Sequence, residues 1–166
     1  MIDASGFRNN VGMIITNGQG KLLWARRIGS QHAWQFPQGG VGENEAPVDA
    51  MYRELEEELG ISRDKVRLIA ESKRWLKYRL PLRFQRHDEE TARRCIGQNQ
   101  KWFLLELIGD DACVKLAETS HPEFDTWRWV NYWYPIRQVI YFKRYVYRQA
   151  LEEFAEKVVS KIRIRD

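Results

Sequence analysis

Apolar residues in this chain gather in short runs through its first three quarters and recur at every fourth position near its end. Val11-Gly-Met-Ile-Ile-Thr16 and Lys21-Leu-Leu-Trp-Ala-Arg26 read as strands. Asn17-Gly18-Gln19-Gly20 joins them and is rich in the residues that hairpin turns require. Trp34 to Pro37 is a short apolar piece leading into the Gly39-Gly40 pair. Ala46 to Leu59 predicts a helix, with Gly60 placed as its C-terminal cap because glycine takes up the left-handed conformation without a Cβ clash. Val66 to Ala70 and Lys101 to Ile108 predict strands, the second so continuously apolar that it should be buried; Thr126 to Val130 (TWRWV) alternates with period two. After Pro135, the spacing of Val146, Ala150, Phe154 and Val158 puts one apolar stripe on a basic terminal helix over about 143–162. Arg79 to Gln100 has no clear periodicity and is expected to be a long loop. No repeat or linker interrupts the chain, so residues 1–166 should form one domain. Its strands and helices interleave without regular βαβ spacing, which predicts a mixed α/β (α+β) sandwich.

Composition narrows the picture a little. The 166 residues are 43% hydrophobic and 30% charged, in the range of a soluble domain with a substantial core. No apolar run approaches the ~20 residues of a membrane span, and MIDASGFRNN lacks the basic and apolar regions of a signal peptide. Cys95 and Cys113 form no CxxC or Cys/His metal pattern. A cytoplasmic protein with no membrane partner is therefore expected. The net charge of +4 says less than its distribution. Glu43 to Glu58 holds seven acids and one base, whereas Lys73 to Lys101 holds nine Lys/Arg and three acids, and Arg137 to Arg165 eight and three. An acidic pole between basic, aromatic-rich stretches suggests cations at the pole and an anionic partner along the flanks; ordinary solvated charge is the alternative.

The sharpest signal lies in the first helix. At about 100° per residue, Glu54, Glu57 and Glu58 share one ridge at the edge of the apolar face formed by Val48, Met51, Tyr52, Leu55 and Leu59, while Glu56 points away. Like charges at these spacings each cost a few tenths of a kcal/mol, and glutamates in a last turn meet the negative end of the helix dipole. Within the helix only Arg53 offsets this. A local rule broken without compensation points to function. Clustered carboxylates suit hard cations such as Mg²⁺, and paired cations can activate water and neutralise charge on a phosphoryl group. A solvated acidic helix is the competing reading of the run by itself.

The surrounding spacing is Gly39-x5-Glu45-x7-Arg53-Glu54-Leu55-x-Glu57-Glu58-x-Gly60-Ile61, nine fixed positions over 23 residues. It resembles the Nudix box (residues 39–61) at every fixed position. The resemblance implies an α/β/α sandwich with a mixed central sheet and hydrolysis of a diphosphate linked to another group. It also implies two or more Mg²⁺ ions, with Mn²⁺ able to substitute, held by Glu54, Glu57 and Glu58 and by the Gly39 carbonyl. Glu54 or Glu57 would prepare the attacking water, with Arg53 part of the catalytic set.

Outside the box, Trp34-Gln-Phe-Pro-Gln-Gly-Gly40 resembles the Nudix subgroup of bacterial RNA pyrophosphohydrolases and plant-type diadenosine polyphosphate hydrolases. Further blocks follow the RNA enzymes, among them Phe7-Arg8-Asn-Asn-Val-Gly12, Trp24-Ala-Arg-Arg27, Pro122-Glu-Phe-Asp125 and Phe142-Lys-Arg144. Departures fall at Ser30-Gln31, in the Arg83–Arg94 segment and in the short tail after Lys161. What this implies is conversion of the 5′-triphosphate or diphosphate end of RNA to a 5′-monophosphate, which opens the transcript to 5′-end-sensing ribonucleases. A 5′-triphosphate needs fixed cations, and Arg8, Arg27 and Lys143 stand at matching positions. An unpaired base needs a stacking partner: Phe142 is the first candidate, Tyr78 the second, with Ile140 packing on the opposite face. Glu123 matches a further metal ligand of relatives. His32, His87 and His121 have no partner in sequence and are given no role. The expected partner is 5′-phosphorylated RNA with an unpaired end; nucleoside polyphosphates are a second substrate class, and DNA is not expected. The competing functions are a diadenosine tetra- or pentaphosphate hydrolase and a non-catalytic nucleotide- or RNA-binding module. The intact box glutamates speak against the module.

Overall fold

The computed structural model describes residues 2–30, 33–87, 89, 93–119 and 121–165, with side chains to residue 159; His32 lies outside the described residues. Its strands are β1 (Phe7–Thr16), β2 (Leu22–Arg27), β3 (Trp34–Gln35), β4 (Gln38–Gly40), β5 (Val66–Glu71), β6 (Leu76–Arg79), β7 (Arg86–His87), β8 (Arg94–Cys95), β9 (Gly97–Leu107) and β10 (Phe124–Val130); its helices are α1 (Pro47–Leu59), α2 (Tyr134–Gln138) and α3 (Arg144–Arg165). The main sheet runs β10-β2-β1-β9-β5, with β3 on β2, β4 on β1 and β6 on β9. Its centre is the parallel pair β1/β9, in register from Phe7↔Gly97 to Thr16↔Glu106; the other pairs are antiparallel, so the sheet is mixed.

Period-two alternation on the central strands feeds two cores. Val11, Met13 and Ile15 face α1 with Phe103 and Leu105, and meet Met51, Leu55 and Leu59 there. Ile14, Trp24, Trp102 and Leu104 face the opposite layer, where Val146, Tyr147, Ala150, Phe154 and Val158 of α3 cover them. The four-residue stripe of the terminal helix is thus its buried face, and the architecture is an α/β/α sandwich. Rings of Trp24, Phe36, Trp102 and Tyr147 pack edge-on or tilted at 4.7–6.2 Å around Phe36 and Tyr147. Gly12 lets the Trp102 indole in, since a Cβ there would lie 2.6 Å from its ring. Trp127 and Trp129 are half-buried at the rim of the core against α1.

The segment expected as a loop from Arg79 to Gln100 is more ordered than that. β6, absent from the sequence reading, ends at Arg79; a 3-10 turn (Leu82–Phe84) and the β7/β8 pair follow; β9 starts at Gly97, four residues before the apolar run. Polar residues fill the early part of β9 because its partners there, Arg8, Asn9 and Asn10 of β1, are polar as well. Among the described residues no helix is long and apolar enough to cross a membrane.

Candidate active site

α1 starts at Pro47 and is capped by Gly60, whose φ of 64° lets its own N–H reach the Glu56 carbonyl and the Ile61 N–H the Leu55 carbonyl. Burial of Met51, Leu55 and Leu59, each worth about 1.5–3 kcal/mol, fixes the rotation of the helix. That rotation brings Glu54 against β4. A Cβ on Gly39 would lie 2.3 Å from Glu54 Oε2, so a larger residue at this position of β4 would push the carboxylate out of the space it occupies. Glu57 is half-exposed, Glu54 largely covered, and Glu58 only 3% exposed. The ridge seen on the helical wheel therefore runs from solvent into the interior.

Arg53 binds the cluster together. Its guanidinium donates to Glu45, to Glu54 Oε1 at 2.8 Å, to Glu57 Oε2 at 3.2 Å and to the Gly40 carbonyl at 2.8 Å. These bonds hold the Glu45 carboxyl down to about 2. Glu58 behaves oppositely. Burial, with the negative charges of Glu123 and Glu54 beside it, pushes its carboxyl up to about 10. Glu54 is also raised, chiefly by burial, against the pull of Arg53. Glu123, in the exposed stretch before β10, thus joins the box glutamates in space although it lies far from them in sequence.

This donor set fits divalent cations. It offers only hard oxygens, and Glu58 Oε2 is buried with no hydrogen-bond donor of the protein upon it. Among the described residues no three carboxylate, imidazole or thiol groups already surround one point as a closed cage. Mg²⁺ commonly takes one or two carboxylates and completes its shell with water and phosphate, so an open cluster suffices.

A second group of predicted residues adjoins the first. Lys143 is 7% exposed; its ammonium donates to Gln38 Oε1 at 3.2 Å and Gln35 Oε1 at 3.4 Å and lies 5.7 Å from the centre of the Tyr78 ring. Burial, with the positive charge of Arg27 nearby, lowers Lys143 to about 8, while Glu58 opposes the shift. Lys143 is thus a largely buried cation, held by two glutamine oxygens rather than by a carboxylate. Tyr78 is only 6% exposed and cannot offer a face to a base; its ring lies 5.9 Å from Phe142 and supports it from beneath. Phe142 is half-buried and Ile140, two residues earlier, is 42% exposed. Arg8 and Arg27 are exposed, Arg8 opposite Gln98 on the parallel seam and Arg27 at the end of β2. His87 and His121 are exposed too.

Sequence reasoning missed Gln38. Its amide oxygen accepts from Lys143 and, at 3.4 Å, from Gln100, and its amide nitrogen donates to the Tyr78 hydroxyl at 3.3 Å. The signal was present in WQFPQGG, where a glutamine stands directly before the box glycine; in the structure it is half-buried with both ends of its amide bonded.

The NUDIX domain model matches residues 6–155. The chain belongs to the Nudix family. It is 56% identical over 160 residues to the RNA pyrophosphohydrolase of Klebsiella pneumoniae (strain 342), covering 96% of this chain and 89% of that one. To the RNA pyrophosphohydrolase of Pseudoalteromonas translucida (strain TAC 125) it is 59% identical over 155 residues, covering 93% and 88%. The solved structure of the E. coli dihydroneopterin triphosphate pyrophosphohydrolase shares the fold, with a TM-score of 0.67 at 20% identity over 93% of this chain and 98% of that one. This Nudix hydrolase therefore carries the family's chemistry on phosphoric anhydrides on a scaffold whose box residues are intact.

Proposed function

We propose that this Nudix hydrolase converts the 5′-triphosphate or diphosphate end of RNA to a 5′-monophosphate, releasing pyrophosphate or phosphate. The observation that carries the reading is the adjacency of two groups: the carboxylate cluster ends inward at Glu58, and Glu58 faces the Lys143 site with its aromatic support. The likeness to RNA pyrophosphohydrolases over nearly the whole chain supports it.

Glu54, Glu57, Glu58 and Glu123, with the Gly39 carbonyl, would hold two or more Mg²⁺ ions, or Mn²⁺ in their place. Bound there, the cations supply an acidified water and neutralise charge on the phosphates. Arg53 keeps Glu54 and Glu57 aimed at that position. Glu54 or Glu57 accepts the proton of the attacking water. Arg8, Arg27 and Lys143 bind the phosphates, and Phe142, backed by Tyr78 and flanked by Ile140, stacks on an unpaired base. The 5′-monophosphate left behind exposes the transcript to 5′-end-dependent decay, and the whole cycle belongs to the cytoplasm.

The test is an RNA oligonucleotide with a 5′-triphosphate and an unpaired end, incubated with Mg²⁺ beside diadenosine tetraphosphate, with Glu57→Gln as control. Monophosphorylated RNA that is absent from the control is the expected product. Cleavage of the dinucleotide alone would keep the metal site and refute the RNA reading.

A further inference from the structure

The rings of Tyr78, Phe142 and Phe84 form a chain, with centroids 5.9 Å and 5.4 Å apart, that climbs from the interior to the surface: Tyr78 is 6% exposed, Phe142 half-buried and Phe84 39% exposed. Phe84 ends the 3-10 turn Leu82–Phe84, where Leu82 is 72% exposed and the Arg83 guanidinium lies 4.9 Å over the Phe84 ring. Single exposed apolar residues need no explanation. Here two large ones and a stacked cation continue an aromatic row that begins beside Lys143. The turn that presents them is fixed by hydrogen bonds from Phe84 N–H to the Pro81 carbonyl at 2.9 Å and from Gln85 Nε2 to the Leu80 carbonyl at 2.8 Å. Its surroundings are cationic, with nine Lys/Arg against three acids from Lys73 to Lys101.

Aromatic faces interleaved with arginine in a basic setting are the means by which proteins hold single-stranded nucleic acid without reading its sequence. We propose that Phe84, capped by Arg83, is a second base seat, taking an unpaired RNA base 3′ to the one stacked on Phe142. This rests on the RNA reading above and extends it: the enzyme grips the unpaired end over more than one nucleotide. The seat should be tolerant of base identity, since stacking uses the face that all bases share.

The test is kcat/KM on a series of 5′-triphosphate RNAs lengthened one nucleotide at a time, for the intact enzyme, Phe84→Ala, Phe84→Trp and Arg83→Gln. For the intact enzyme, kcat/KM should rise at the step where the chain reaches Phe84. Phe84→Ala should abolish that step, a loss of about 5- to 150-fold carried mainly by KM, over and above any smaller loss on shorter substrates from removing the ring packed on Phe142. Phe84→Trp should restore it, and Arg83→Gln should reduce it partially. Equal losses at every length, or no loss at any, would overturn the seat while leaving the RNA activity standing. An intact enzyme that turns over diadenosine tetraphosphate but no RNA would overturn the functional reading itself.

Discussion

Arg53 and Glu45 meet through two parallel hydrogen bonds, Nε to Oε2 and Nη2 to Oε1, both 2.9 Å. The fork matches guanidinium to carboxylate in a way an ammonium cannot reproduce. Glu45 Oε1 also accepts from the Gly42 N–H at 2.8 Å. One pair, with the Arg53 bond to the Gly40 carbonyl, therefore fastens the end of β4 and the loop after it to the helix carrying Glu54 and Glu57. The pair is partly exposed, so its worth for stability is small, about 0–1 kcal/mol. Its role is to aim the carboxylates.

Arg53→Lys should accordingly lower kcat by about 100-fold or more, in the range for misplacing a reacting group by an ångström, with little change in Tm. Steady-state kinetics and a thermal melt on the same preparation check this. A collapse in Tm would make the pair structural, and near-normal kcat would remove it from the site.

Glu58 and Glu57 should separate on a second pair of measurements. Glu57 is half-exposed and Glu58 buried between two other carboxylates. Both glutamine variants should lose turnover by orders of magnitude. Glu58→Gln alone should raise Tm measured without divalent cation, by about 2–4 °C for each kcal/mol of repulsion and desolvation relieved in a domain this size, and it should lose most of the stabilisation that added Mg²⁺ gives. A lowered Tm in Glu58→Gln would mean that its carboxyl makes stabilising contacts, against the crowding argued here.

The sequence carried the carboxylate ridge, the α1 boundary at Gly60 and the buried stripe of α3, because each rests on local periodicity or on glycine's conformational freedom. It could not carry the burial of Lys143. Lys143 follows an aromatic in a turn, and only the packing of α3 on β6 and the glutamines of β3 and β4 encloses it. Tyr78 lies between Lys77 and Arg79 in sequence, which suggests an exposed ring. On a strand those neighbours point the opposite way, so they signal its burial. The strand itself was missed because Leu76–Arg79 has one clear apolar partner position, and its pairing with the polar start of β9 is non-local.

Lys143 should impose an alkaline limb on activity. Burial and Arg27 lower it to about 8, so above that pH the unliganded enzyme loses the positive charge on which the proposed phosphate binding draws. kcat/KM on 5′-triphosphate RNA should fall above about pH 8, and Lys143→Met should have a lower plateau without that limb. The stability sign is opposite. An unfolded lysine, with its ordinary value of 10.5, binds more protons than the folded one between about pH 8 and 10.5, so this group's contribution to stability rises with pH across that window. A Lys143→Met profile still breaking near pH 8 would assign the limb elsewhere.

Tyr147 is fully buried, and its hydroxyl accepts a hydrogen bond from the Phe36 N–H at 2.9 Å. Phe36 sits between Gln35 and Gln38, the two residues that hold Lys143. Tyr147→Phe keeps the ring contacts with Phe36 and Trp102 and strands one backbone donor in the core. That should cost about 1–3 kcal/mol, or roughly 2–12 °C in Tm by the size scaling for such a domain. Because the β3–β4 turn loses its anchor to α3, KM for RNA should rise as well, while the metal-supported kcat changes little. A variant with unchanged Tm and unchanged KM would show that β3 and β4 are held by their sheet pairing alone, and that α3 seals the aromatic core without fixing the glutamines above it.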